Sequence, residues 1–284
     1  MRNIRSFIYN TLSIPGNLFG FLSSSRLRVL AYHDIENPTL FEKQIKFLIK
    51  HFDIIDLKTL NHHIQNQRPL PPKPLLITFD DGDFSVLKHG LPILKKYEIP
   101  ACLFIITELI DTNREFWWNI FNSIYGKKKL NYFKGLSNQE RITELQKIEY
   151  SGKRRQLTVE DLYELEQNGI RCCNHSHTHP LFDKCTLEEL EHEFKKSKEL
   201  FHRWGIPGDN IFAYPNGNFD EVSEKVLEAN QIDLAFLFDH KLNNSKIHPL
   251  RISRIRVDST TELGEFKVKV SGFHSLINQL RNGN

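Results

Sequence analysis

Three short clusters hold the residue types that do chemistry. The first is Thr78-Phe79-Asp80-Asp81-Gly82. Neighbouring carboxylates repel each other unless a cation or a proton separates their roles. A metal ion held by one would leave the other to act as a base. Asp-Asp-Gly is also a common turn sequence, so the pentapeptide alone fits either role. The second cluster is Asn174-His175-Ser176-His177-Thr178-His179-Pro180. Histidine is the commonest side-chain metal ligand, and alternating imidazoles after a strand are hard to explain by packing. His175 and His179 stand one helical turn apart, so a turn or a tight loop puts both on one side and points His177 elsewhere. One carboxylate and two imidazoles form the ligand set of an open catalytic zinc site, in which water fills the remaining position. Asp81, His175 and His179 supply that set. Bound Zn²⁺ lowers the pKa of such a water to about 7 and polarises a carbonyl. The competing readings are a structural zinc site with Cys172, Cys173 or Cys185, and a histidine-rich loop with no ligand. The third cluster is Phe212-Ala213-Tyr214-Pro215-Asn216-Gly217. It is either a plain turn or a segment whose exposed N–H groups stabilise a developing oxyanion.

The elements around these clusters read as alternating strands and helices. Arg28 to Tyr32 reads as a strand ending at His33-Asp34. Leu75 to Phe79 and Ala101 to Ile106 are apolar runs without alternation, as in strands buried on both faces of a parallel sheet. Phe41, Ile45, Leu48 and Ile49 recur at helical spacing, as do Leu87, Leu91, Leu94 and Tyr97. Phe52 to Leu57 reads as a short strand. Pro69, Pro71, Pro72 and Pro74 keep the next connection out of helix interiors and central strands. Residues 111–157 break the rhythm. They are polar, carry the aromatic knot Phe116-Trp117-Trp118, and predict a helix near 138–149, so they read as an inserted or elaborated region. Thr158 then predicts an N-cap with Asp161 three residues on, and Gly169 a helix end. Strands are expected at Ile170–Cys173, Ile211–Tyr214, Leu234–Phe238 and Arg251–Val257, with helices at Leu187–Trp204 and about 220–230. Strands that each end in a polar, chemically loaded turn predict an α/β fold built as a barrel of β/α units. In such barrels the catalytic groups gather at the C-terminal strand ends.

Composition sets the limits. Over 284 residues, 39% are hydrophobic and 26% charged, as expected of a chain that buries its own core. The formal net charge of +3 gives no signature of nucleic-acid binding. The four cysteines contain no C-x-x-C pair and do not form a disulfide framework. Lys127-Lys128-Lys129 and Lys153-Arg154-Arg155 are either solvated faces or contacts to anionic lipid or polysaccharide. Residues 1–25 form an amphipathic segment with Ile4, Phe7, Ile8 and Leu12 on one helical face. Asn10, Thr11, Ser13, Pro15 and Asn17 interrupt it, so it makes neither a clear signal peptide nor a transmembrane helix. It would lie on a membrane surface or pack on the domain. The expected plan is this segment followed by a single catalytic domain over 26–284, located in the cytoplasm or at a membrane.

The order and content of the clusters resemble the polysaccharide-deacetylase family, also called the NodB-homology or carbohydrate esterase 4 family. The resemblance covers roughly residues 28–258 and rests on Thr78-Phe79-Asp80-Asp81-Gly82, the His-Ser-x-x-His-type spacing, and Ile99-Pro100-Ala101-Cys102-Leu103-Phe104. It implies a distorted (β/α) barrel with fewer than eight units. It implies Asp80 as general base, Asp81, His175 and His179 as ligands of one divalent ion, zinc first among the candidates, and the Asn216 N–H facing the oxyanion. Two departures stand out. Many members carry an Arg where Ala213 stands, buttressing the catalytic Asp; Arg254 or Arg251 would have to replace it. The late Leu-x-His motif that supplies the catalytic acid is also not evident. Phe-Ala-Tyr-Pro-x-Gly resembles the branch that acts on poly-N-acetylglucosamine and related exopolysaccharides, where an early histidine is the acid. Tyr32-His33-Asp34 looks like that segment, which assigns the role to His33; otherwise His33 is a strand-end histidine bonded to Asp34. Tyr214 is expected to meet the sugar. The implied activity is removal of N-acetyl groups from an N-acetylated sugar or polysaccharide by metal-activated water. The alternatives are hydrolysis of another non-peptide C–N bond or of O-acetyl esters, and a non-catalytic sugar-binding relative.

Overall fold

The apolar runs become the strands of one parallel sheet in the computed structural model, which describes residues 25–66 and 68–273. The first half of the chain gives β1 (Arg28–Tyr32), α1 (Pro38–His51), β2 (Asp53–Ile54), α2 (Leu57–Asn66), β3 (Pro74–Phe79), α3 (Leu91–Lys96) and β4 (Ala101–Ile105). Then come α4 (Trp117–Gly135), α5 (Asn138–Gln146), α6 (Val159–Gln167), β5 (Ile170–Asn174), α7 (Leu187–Trp204) and β6 (Ile211–Ala213). The chain closes with α8 (Glu221–Ala229), β7 (Leu234–Phe236), β8 (Ile255–Arg256) and α9 (Leu263–Ser271). Pro74 opens β3 instead of ending the connection before it, a position that needs no N–H for the ladder. The expected caps form: Thr158 and Asp161 bond reciprocally at the start of α6, and Gly169 follows that helix with φ +84°.

Every pairing between named strands is parallel, in the order β7-β6-β5-β4-β3-β1-β8, and β2 joins the start of β3. The two outer edges meet. Ile252 exchanges hydrogen bonds with β7 (its N–H to Ala235 O at 2.9 Å, Leu237 N–H to its own O at 2.8 Å), and three residues later Ile255 pairs with Leu30 of β1. Segment 252–256 therefore closes a barrel. The result is an α/β, distorted (β/α) barrel with fewer than eight full units, as the sequence predicted.

Strand alternation sorts the side chains. Val29, Leu76, Phe104, Cys173, Ala213, Phe236 and Ile252 form one buried cluster drawn from all round the sheet, which is the barrel interior. Leu30, Leu75, Ile77 and Leu103 point the other way, under the helices. Counting on in twos, Leu76 leads to Thr78 and Asp80, Ala31 to His33, Cys173 to His175, and Ile252 to Arg254 and Arg256. The interior face thus ends, at the C-terminal rim, in polar groups from separate strands.

Residues 111–157 carry α4 and α5, with Gly126 (φ +75°) kinking α4 into two halves. No helix among the described residues is long and apolar enough to cross a membrane. The amphipathic segment at 1–25 lies, but for Ser25, outside the described residues.

Candidate active site

Asp80 and Asp81, at the end of β3, face one cavity but take different partners. Asp80 is buried, and Arg254 grips it with both ends of its guanidinium: Nη1 donates to Oδ1 at 2.6 Å and Nη2 to Oδ2 at 2.8 Å. Arg254 is itself fully buried. Its Nε donates to Leu237 O at 2.7 Å, its Nη1 also reaches Thr78 Oγ1 at 3.2 Å, and its guanidinium lies near the rings of Phe104 and Phe238. Burial alone would raise the Asp80 pKa, but the charge of Arg254, with His175 next, holds it below the usual carboxylate range. Asp80 is therefore an anion at neutral pH with both oxygens held in place.

Asp81 has a left-handed backbone, at φ +71°, followed by Gly82 at +75°. Its Oδ1 lies 3.4 Å from His175 Nε2 and 3.5 Å from His179 Nε2. Burial pushes its carboxyl up, and the bond to His175 with the surrounding imidazoles brings it well below the ordinary value.

The histidine loop is held from beneath. Asn174 Oδ1 accepts from Ser176 N–H at 2.8 Å, and Ser176 Oγ accepts from His179 N–H at 3.0 Å. Glu193 on α7, also buried, accepts from the N–H groups of His177 and Thr178 and from Thr178 Oγ1. Ser176 and His179 adopt φ of +67° and +58°. That is a tight loop, not a helical turn, and it puts His175 and His179 side by side while His177 pairs with Thr107. Left-handed backbone at Asp81, Ser176, His179 and Asn216 costs energy that the surrounding bonds must offset, and such strain clusters at functional sites.

The donor set fits a metal ion. Ligand atoms of Asp81, His175 and His179 all lie within 4.8 Å of one another. A tetrahedral ion with bonds of about 2.1 Å spaces its ligands about 3.4 Å apart, matching the two separations from Asp81 Oδ1. Ala213 O, 2.8 Å from His175 Nδ1, can only accept, so that nitrogen carries the proton and Nε2 keeps a lone pair. Burial, then the neighbouring His175, pushes the His179 pKa down to about 3, which keeps it neutral as a ligand must be. Among the described residues no cysteine joins the cluster.

A cavity of about 450 Å³ opens over these groups. Asp80, Asp81, His175 and His179 form its floor, and His33 and Asn216 stand at its walls. His33 follows β1 and packs edge-on against Phe238. Asn216 sits at φ +57° in the turn after β6, and a Cβ on the next residue, Gly217, would come within 2.6 Å of the Phe238 backbone. Two expectations need correction. Tyr214 does not meet the cavity: Ala213 faces inward, so alternation sends Tyr214 outward, where it is fully buried against Phe182, Phe212 and Phe219. Arg251 lies off the inward set 252, 254, 256; it is exposed and pairs with Glu224 at 2.6 Å. Trp118, from the aromatic knot, lines the cavity with its ring 4.5 Å from that of His179. Trp117 Nε1 donates to His179 O. Lys127 and Lys134 also reach this wall; only the basic run at 127–129 hinted at them.

The class that fold and site define is a parallel barrel whose C-terminal rim carries a carboxylate–bis-imidazole cluster able to hold a metal ion, beside a second, guanidinium-bound carboxylate. Residues 67–235, more than half of the chain, match the family model for polysaccharide deacetylase, and the chain belongs to that family. It is 26% identical over 233 residues to the poly-β-1,6-N-acetyl-D-glucosamine N-deacetylase of Staphylococcus epidermidis, covering 80% of this chain and 70% of that one. It is 24% identical over 212 residues to the Bacillus subtilis protein YxkH, named as a polysaccharide deacetylase; that match covers 72% of this chain but only 61% of the relative. The fold is shared with the Streptococcus pyogenes deacetylase PplD, at a TM-score of 0.65 and 19% identity, over 86% of this chain and 98% of that one.

Proposed function

We propose that the protein removes N-acetyl groups from an N-acetylated glycan, with a single divalent ion held by Asp81, His175 and His179. Zinc is the ion whose four-coordinate preference this set suits. When bound, such an ion supplies Lewis-acid polarisation of the acetyl carbonyl and makes water more acidic. The chain's own groups do the rest. Asp80, held ionised by Arg254, takes a proton from the attacking water as its oxygen adds to the carbonyl carbon. The Asn216 N–H faces the developing oxyanion. His33, on the facing wall, donates a proton to the nitrogen as the C–N bond breaks, because an amine anion is too poor a leaving group unaided. Acetate and a free sugar amine leave.

The observation that carries this reading is the buried Asp80–Arg254 pair lying next to the Asp81–His175–His179 cluster under one cavity. It also weighs against a non-catalytic sugar binder, since the Arg missing at 213 is replaced in space by Arg254. The kinship to a poly-N-acetylglucosamine deacetylase supports an N-acetylglucosamine polymer as the substrate class. The test is acetate release from N-acetylglucosamine oligomers. Hydrolysis should stop with a chelator and return with added Zn²⁺. Undiminished release in chelator, or none from metal-loaded protein, overturns the reading.

A further inference from the structure

Three cations line the cavity. Lys127 and Lys134 reach it from α4, and Arg256 from β8. Arg256 shares the inward parity of Arg254 but sits one step nearer the mouth, exposed where Arg254 is buried. Lys134 Nζ donates to Asn216 Oδ1 at 2.8 Å, so its ammonium is fixed beside the turn that faces the reacting carbonyl. Lys127 follows directly on the kink at Gly126, which brings the basic run to the rim.

The protein offers these cations little to pair with. The only carboxylates lining the cavity among the described residues are Asp80 and Asp81. Arg254 occupies both oxygens of Asp80, and Asp81 faces the two imidazoles. Neither Lys127 nor Lys134 makes an ion pair with a described carboxylate. Arg256 pairs with Asp258 at 3.1 Å, a half-buried carboxylate that Lys269 shares at 3.4 Å. Solvated lysines usually spread over a surface; here two of them and an arginine line one cavity beside the reacting groups, which is the arrangement that gathers an anion.

Building on the deacetylase reading, we propose that the glycan carries an oxyanion, a phosphate or carboxylate substituent, close to the acetamido sugar, and that Lys127, Lys134 and Arg256 hold it. The same charges repel an ammonium, so a sugar already deacetylated beside the target binds less well than an intact one.

The experiment compares three ligands on the full chain by calorimetry: an N-acetylglucosamine trimer, the trimer with one phosphate, and the trimer with one carboxylate. At low salt the anionic trimers should bind about tenfold more tightly than the neutral one, a difference that added salt erodes. The Lys127→Gln/Arg256→Gln double variant, altered only at exposed side chains, should lose the difference, and Lys127→Arg should keep it. The better of the two anionic ligands identifies the substituent. Equal binding of neutral and anionic trimers overturns the proposal, as does a preference that persists in the double variant. Acetate release is scored separately on the same ligands. Tighter anion binding without release would retain the anion site and defeat the deacetylase reading instead.

Discussion

The cavity has two kinds of wall. The barrel wall is built from strand ends whose polar groups are buried and bonded: Arg254 to Asp80, Leu237 O and Thr78, Ala213 O to His175, Glu193 to the histidine loop. The helical wall, from α4, presents Trp118, Lys127 and Lys134 on a helix kinked at Gly126. Its side chains are held by ring packing at Trp118 and one exposed hydrogen bond at Lys134, not by buried charge pairs. The contrast assigns work. Groups that must sit within a few tenths of an ångström of reacting atoms belong on the rigid wall. Groups that choose among glycans can sit on the adaptable one, where change costs little stability.

Substitutions on the two walls should therefore fail in different ways. The largest effect is expected at Asp80. Asp80→Asn keeps the shape and removes the base, so kcat should fall about 10³-fold while metal content, measured by elemental analysis, stays unchanged. Asp81→Asn or His179→Ala should lose metal and activity together. If Asp80→Asn keeps full activity, the division of labour between the two carboxylates is wrong.

Arg254→Met should come next. It leaves a buried carboxylate without its counter-ion, which costs about 3–5 kcal/mol in unfolding free energy by urea titration. Asp80 should then titrate at higher pH, shifting the acid limb of the rate profile upward. Arg251→Met, which removes a half-exposed arginine from its pair with Glu224, should change stability by about 1 kcal/mol.

Metal-free protein should be acid-sensitive in a defined window. His179 has a folded pKa of about 3 against an ordinary 6.5. Between those values the unfolded chain takes up a proton that the folded one refuses, so stability falls as pH drops from 6.5 toward 3. Urea midpoints in chelator should show this slope, and His179→Phe should flatten it.

The smallest effect belongs to the helical wall. Trp118→Ala should raise KM about fivefold with kcat little changed, through lost stacking on the sugar. A kcat loss as large as that of Asp80→Asn would erase the distinction between the walls.

Much of the barrel wall was legible in the sequence. The runs Leu75 to Phe79 and Ala101 to Ile106 read as buried strands because they are almost wholly apolar, and the capping pair Thr158/Asp161 marked α6 by local chemistry alone. Strand parity held further information. Counting in twos from Ile252 selects Arg254 over Arg251, and counting from Ala213 sends Tyr214 away from the cavity. That count needs to know which face is the interior, and a strand buried on both faces gives no such sign. The helical wall was less legible. Trp118 and Lys127 sit on a helix that is neither cleanly amphipathic nor regular, so periodicity could not say which side chains would turn toward the barrel.

The sequence by itself determined the residue types at the strand ends, the parallel α/β rhythm and the donors for a metal ion, because these follow from local pattern and spacing. Only the tertiary structure decided that Arg254 supports Asp80 and that a kinked helix closes the cavity with lysines. Asp80 and Arg254 are 174 residues apart in the chain. They meet because closing the barrel lays segment 252–256 against β1, whose other neighbour is β3, and no local preference encodes that closure.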